Sequence, residues 1–311
     1  MDTLDRFRGC LLGLAVGDAV GTTLEFKPKG SFIPITDMVG GGPFRLKPGE
    51  WTDDTSMALC LATSLLESHG FDADDQMQRY CRWHDEGYLS SNGRCFDIGN
   101  TVSSALRSFI AHGNPYAGST DAWSAGNGSL MRLAPVPLFY YPQIEQAVAF
   151  AAESSRTTHG ADECIDACRL YTRFVLRALA GEDKEQVLFA DSESLIDAPM
   201  IAGIANGNYC TKKEHDIRGT GYVVDCLEAA LWCFWTTDNF RDAILKSANL
   251  GDDADTTAAV CGQIAGAYYG SAGIPTAWKE QLAMREMIQE LADRLYQQSH
   301  STRNLGIEVS A

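Results

Sequence analysis

The 311-residue chain is 45% hydrophobic, enough apolar content for one large core or two modest ones. Its formal net charge of −16 argues against a free-standing nucleic-acid binder, whose footprint would be basic, and leaves small charged ligands open. No apolar run reaches 18 residues, so stable membrane insertion is not expected, and the N-terminus lacks the regions of a signal peptide, which points to a cytoplasmic protein.

Residues 3–20 place apolar and small side chains at helical spacing and end in Gly17-Asp18-Ala19-Val20-Gly21, the pattern of a buried helix running into a turn. Glu25 follows, ahead of a stretch punctuated by Pro28, Gly30, Pro34, Gly40, Gly41, Gly42, Pro43, Pro48 and Gly49. Such a composition makes a long irregular loop, so Glu25 reads either as a surface acid or as a mobile one able to swing over a site.

Trp51-Thr52-Asp53-Asp54-Thr55-Ser56 then sets a hydroxyl and two carboxylates before an apolar helical pattern, with no basic residue from Trp51 to Glu67. After a polar amphipathic helix over residues 74–87, Cys95-Phe96-Asp97-Ile98-Gly99-Asn100-Thr101 leads into another helix, and the bland reading of Asp97 is as that helix's cap and nothing more. Gly126-Asn127-Gly128-Ser129-Leu130-Met131-Arg132 matches neither the P-loop nor the GxGxxG spacing; it is an ordinary loop or a nest of N–H groups for phosphates. His159 lies in a polar turn, where a hydrogen-bonded structural role is the common one.

Further helical periodicity covers residues 143–154, 160–180, 222–236 and 276–298, while alternating strand patterns are nearly absent. The expected fold class is all-α: one compact orthogonal helical domain over residues 1–298, then a flexible polar tail at 299–311. Ten cysteines are scattered through apolar segments with no CxxC pair, as buried reduced thiols would be.

Near the C-terminal end, Gly251-Asp252-Asp253-Ala254-Asp255-Thr256-Thr257 opens a small-residue run in which Gly262, Gly266 and Gly270 recur every fourth position, giving a face that another helix backbone can approach closely. Two carboxylates about 4 Å apart repel by roughly 4 kcal/mol at an effective dielectric near 20, and no Lys or Arg lies between Asn249 and Gly270 to offset this. A capped, solvated helix start accommodates the heptad alone. Two acid-plus-threonine helix starts some 200 residues apart look instead like halves of one metal site. Oxygen ligands from Asp and Thr suit Mg²⁺, Mn²⁺ or Ca²⁺; an EF-hand is excluded, because the loop would need Gly and Glu where Ala258 and Ile264 stand.

In order and spacing, the segments at Gly13–Gly21 with Glu25, Trp51–Thr55, Gly126–Arg132 and Gly251–Thr256 resemble the ADP-ribosylglycohydrolase family. Cys95–Thr101 and Gly219-Thr220-Gly221-Tyr222-Val223-Val224 are most similar to its bacterial dinitrogenase-reductase-activating branch. The resemblance implies a hydrolase that removes ADP-ribose from a modified protein side chain, typically arginine, with two Mg²⁺ or Mn²⁺ ions held by Thr52, Asp53, Asp54, Asp253, Asp255 and Thr256. It further implies Asp97 as the catalytic carboxylate and Glu25 as the acid of a mobile loop. Asn100, the Gly126–Met131 loop (Gly126, Asn127, Gly128, Ser129, Leu130 and Met131) and His159 would hold the phosphates and ribose, and Tyr222 would flank the distal ribose and adenine. Asp252 departs from the glycine usual in many relatives and adds a further carboxylate. Three rival readings stand beside the arginine hydrolase: cleavage of O-linked, nucleic-acid-linked or free ADP-ribose conjugates, a non-catalytic ADP-ribose binder, and a metal-stabilised structural protein.

Overall fold

With Asp2 accepting the Asp5 N–H at 2.7 Å as its cap and no proline to interrupt it, the first apolar run forms one helix, α1 (Thr3–Gly21). Every residue from Gly9 to Gly21 is buried, as befits a helix that is apolar or small all round. The structure, a computed structural model, describes residues 2–189 and 196–305.

In chain order the remaining helices are α2 (Asp53–Glu67), α3 (Ala73–Glu86), α4 (Asn100–His112), α5 (Pro135–Tyr140), α6 (Ile144–Arg156) and α7 (Asp162–Ala180). They continue with α8 (Lys184–Phe189), α9 (Pro199–Ala205), α10 (Val223–Trp235), α11 (Phe240–Ala248), α12 (Ala254–Tyr269), α13 (Thr276–Gln281) and α14 (Arg285–Leu305). Among the described residues there is no strand, only isolated bridges, so the fold is all-α.

The small face of α12 meets α1. A Cβ added at Gly9, Gly13, Gly17 or Gly21 would lie 2.2, 2.3, 2.1 and 2.3 Å from the carbonyl oxygens of Gly266, Gly262, Ala258 and Ala254, respectively. One series rises by four residues as the other falls by four, so the helices run antiparallel, backbone on backbone, and the end of α1 is delivered to the start of α12. Helices α7, α10 and α11 pack on α12, and α14 packs on α1, enclosing the pair in the core. The long loop before α2 is irregular as expected and pinned: Thr23 Oγ1 donates to Gly40 O at 3.0 Å, and Trp51 Nε1 to Ala283 O at 3.1 Å.

The periodic stretch 276–298 is not one helix. It breaks at residues 282–284, where Met284 takes φ 54° and Ala283 N–H donates to Gly49 O at 2.9 Å, because the chain leaves the helix to pair with the loop before α2. Helix α14 then runs to Leu305, past the expected tail boundary at residue 298; Ser299 is buried and its hydroxyl donates to Tyr296 O at 2.9 Å. Residues 306–311 of that tail lie outside the described residues. All ten cysteines are free thiols, buried or half-buried.

A valine at position 262 would put Cβ 2.0 Å from Gly13 O, forcing the central helices apart. We expect Gly262→Val to destabilise the fold by about 3 kcal/mol or more, beyond ordinary overpacking, in denaturant titration. Gly99→Ala, whose Cβ meets nothing within 4 Å, should stay within about 1 kcal/mol of the parent.

Candidate active site

The start of α2 is organised by Asp18, the one carboxylate in the buried stretch Gly9–Gly21 of α1. Its Oδ1 accepts from Thr52 N and Oγ1 at 2.8 and 2.9 Å, and its Oδ2 from Thr55 N and Oγ1 at 3.0 and 2.6 Å. Thr52 makes no side-chain cap of its own. Its hydroxyl instead faces Asp54 Oδ2 at 3.4 Å and Asp255 Oδ2 at 3.3 Å, while Thr256 Oγ1 lies 3.3 Å from Asp54 Oδ2. The two acidic helix starts therefore meet. Sequence reasoning did not single out Asp18; the signal was a lone carboxylate amid buried apolar positions, which needs several donors to exist there.

At the start of α12 the chain crosses itself. Phe26 N–H donates to Asp252 O at 2.8 Å and Asp252 N–H to Lys27 O at 2.7 Å. This two-way pairing holds Glu25, which is buried and accepts the Ala254 N–H at 2.9 Å. In this structure the carboxylate of Glu25 sits at the positive end of α12, where the free N–H groups of Ala254 and Asp255 hold it. One carboxylate oxygen from each of Glu25, Asp253 and Asp255 lies within 4.8 Å of the other two. Asn127 Nδ2 donates to Asp253 Oδ2 at 2.8 Å, linking the acids to the glycine-rich turn.

Asp97 is not the cap of α4, which is Gly99. It takes φ 61°, a left-handed conformation unusual for a non-glycine residue, and its carboxyl lies beside Asp255 and near Asp53. Burial first, then Asp255 and Asp53, pushes its carboxyl up to about 11. Burial, followed by Asp255, raises Glu25 as well, and burial then Asp255 lifts Asp18 and Asp253 each to about 7. Asp53 is raised by burial and then Asp255, and Asp54 by burial and then Asp18. All these shifts report anionic oxygens that lack a counter-charge.

The acids form one wall of a cavity of about 830 Å³. Glu25, Asp53, Asp97, Asp252, Asp253, Asp255 and Thr256 line it, while Thr52 and Asp54, which are not on the lining, contact Asp255 and Thr256 respectively. Arg218, exposed, is the one Lys or Arg on the lining. Asn100, Gly126, Asn127, Gly128, Met131 and His159 line the same cavity. Ser129 and Leu130 of the same turn are buried, Ser129 Oγ accepting from Ser155 Oγ at 2.9 Å and Leu130 entering the core. Tyr222 is elsewhere: with Trp123, which is 98% exposed, it lines an adjoining cavity of about 680 Å³ that shares Thr101, Gly126 and Gly221 with the first, and its hydroxyl donates to Glu163 at 2.7 Å.

The donor set fits a hard cation. Among the described residues Asp54 Oδ1 is buried without a hydrogen-bond partner, and the three side chains whose ligand atoms gather within 4.8 Å, Glu25, Asp253 and Asp255, are all carboxylates.

Helical fold and oxygen-rich acidic centre define a class, an all-helical protein built around a cluster of acids that could bind a metal. Over residues 1–304 the sequence matches the family described as ADP-ribosylglycohydrolase, and the chain belongs to that family. It is 49% identical over 293 residues to the ADP-ribosylarginine hydrolase Tri1 of Pseudomonas putida (strain GB-1), covering 94% of this chain and 78% of that protein. Identity to the protein of the same name from Serratia proteamaculans (strain 568) is 46%, covering 95% and 80%. The ADP-ribosyl-dinitrogen reductase glycohydrolase of Rhodospirillum rubrum is 32% identical, with 90% and 91% covered. A solved structure described as an ADP-ribosylglycohydrolase-related protein complex superposes with a TM-score of 0.85 at 43% identity, covering 96% of this chain and 99% of that one.

Asp18 and Asp253 titrate near 7 in the folded chain, against about 4 when unfolded. Between those values the folded chain holds more protons, so stability of the metal-free protein must fall as pH rises through that window. Thermal midpoints measured from about pH 4 to about pH 8 should show this decline, and Mn²⁺ should raise the midpoint more at the upper end. A Mn²⁺ effect independent of pH would contradict the assignment of these acids to the cation site.

Proposed function

We propose that the protein hydrolyses the N-glycosidic bond between ADP-ribose and an arginine side chain of a modified protein, releasing ADP-ribose and the restored arginine. The observation that carries this reading is a single cavity in which two acidic helix starts face a glycine-rich turn and a buried imidazole. The two relatives named as ADP-ribosylarginine hydrolases support the choice of linkage.

In this reading Thr52, Asp53, Asp54, Asp253, Asp255 and Thr256 hold two Mg²⁺ or Mn²⁺ ions. When bound, the ions supply the positive charge that lets these acids ionise together and that favours the ribose hydroxyls over bulk water. Asn127 keeps Asp253 oriented through its 2.8 Å hydrogen bond. Glu25, fixed at the start of α12, completes the anionic wall. The Gly126–Met131 turn, Asn100 and His159 orient the diphosphate and ribose, and Tyr222 stands where the nucleoside extends into the adjoining cavity. Asp97, drawn back toward the neutral range by the cation charge, takes a proton from the attacking water as its oxygen joins the anomeric carbon. The bond from that carbon to the guanidino nitrogen breaks, and the proton passes to this nitrogen, so that arginine leaves as guanidinium.

The test is incubation with Mn²⁺ and an arginine-ADP-ribosylated protein, with serine-linked and nucleic-acid-linked conjugates in parallel, reading free ADP-ribose. Release from the arginine-linked substrate alone is expected; release from the others and not from it refutes the linkage. Asp97→Asn should lose at least ~100-fold in turnover, the scale of a general acid/base group, with ADP-ribose affinity nearly kept. Turnover close to the parent's would remove Asp97 from the chemistry.

A further inference from the structure

Arg132 closes the glycine-rich turn and is fully buried. Its Nη1 donates to Gly128 O at 3.2 Å, its Nη2 to Ser154 O at 3.1 Å and Thr157 Oγ1 at 3.4 Å, and its guanidinium carbon lies 4.8 Å from the Tyr80 ring centre. Its Nε has no partner, and among the described residues no carboxylate pairs with it. A buried charge without a counter-ion costs several kcal/mol, so an arginine retained in that state calls for a reason.

The turn above it supplies one. Gly126, Asn127, Leu130 and Met131 spend their N–H groups on Ser124 O, Gly221 O and Asn127 O, whereas Gly128 N–H and Ser129 N–H have no acceptor among the described residues. The carbonyl that Arg132 grips belongs to the same peptide unit as the Ser129 N–H. In a trans peptide these two groups point in opposite directions, so the guanidinium both aims that N–H away from itself and polarises it. Gly128 lines the same cavity as the acids. His159, packed against Gly126 and Gly128, is held neutral: burial first, then Arg132, lowers it to about 3, so it supplies no positive charge here.

We propose that Arg132 is a positioning residue that acts through the Gly128–Ser129 peptide, supplying from beneath the turn the fixed positive charge that the diphosphate of ADP-ribose needs on a strongly acidic protein. The proposal rests on the ADP-ribose reading above. Arg132 never touches the ligand; it braces the peptide that does, and its unpaired charge finds its counter-ion when the anion binds.

Calorimetry with ADP-ribose, with adenosine, which carries no phosphate, and with Mn²⁺ tests this on the parent, Arg132→Met and Arg132→Lys. In Arg132→Met, ADP-ribose affinity should fall at least ~30-fold while adenosine and Mn²⁺ affinities stay within ~3-fold. Arg132→Lys keeps the charge without the double carbonyl grip and should recover part of the loss, leaving about a 5- to 10-fold deficit. If Arg132→Met does not fold, that deficit in Arg132→Lys, with adenosine unchanged, carries the test. Equal loss for adenosine and ADP-ribose means a structural role only and overturns the proposal, as does unchanged ADP-ribose affinity. A parent that binds no ADP-ribose overturns the functional reading itself and this proposal with it, an outcome distinct from an indifferent Arg132.

Discussion

Everything in this molecule hangs on the contact between α1 and α12, where two helices touch through their backbones because glycine or alanine occupies each meeting point. Side chains elsewhere in the core can change rotamer and repack; this seam has almost none to move. Its antiparallel register brings the C-terminal end of α1, with Asp18 and then Glu25, against the N-terminal end of α12, with Asp253 and Asp255. Asp18 in turn fixes the start of α2, so three helix ends are referred to one rigid line.

That geometry also explains why the acids can be crowded. Helix starts offer free N–H groups and a positive dipole end, which Glu25 uses directly at Ala254. They do not neutralise the cluster, because Asp54 Oδ1 remains unpartnered and six carboxyls are shifted toward their protonated forms. The cluster is accordingly a place where the fold stores electrostatic repulsion, tolerable at the surface of a cavity that a cation can enter.

The parts of this arrangement that are local in sequence were legible in it. Asp53 with Asp54, and Asp253 with Asp255, each stand beside a threonine at a helix start with no basic neighbour, and the small face at Gly262 and Gly266 announced a close helix partner. What depends on distant partners was not. Glu25 stands just ahead of a stretch of glycines and prolines, yet the N–H that donates to it belongs to Ala254, 229 positions away. The pattern showed Asp18 and Arg132 only as single charges in apolar runs, since the groups that satisfy them, Thr52, Thr55, Ser154 and Tyr80, belong to other elements. The break before α14 escaped for the same reason: its apolar period continues, and only the pairing of Ala283 with Gly49 interrupts it.

Trp123 gives the site a built-in optical label. Trp51, Trp83, Trp232 and Trp278 are buried, whereas this indole stands in water on the rim of the cavity shared with Tyr222. Its emission is expected at the red edge of the protein's fluorescence, beyond that of the half-buried Trp235 and the four buried indoles. An occupant of the adjoining cavity that displaces water from the ring shifts that component alone, so ligand arrival can be timed on the unmodified chain, without a reporter group and without turnover.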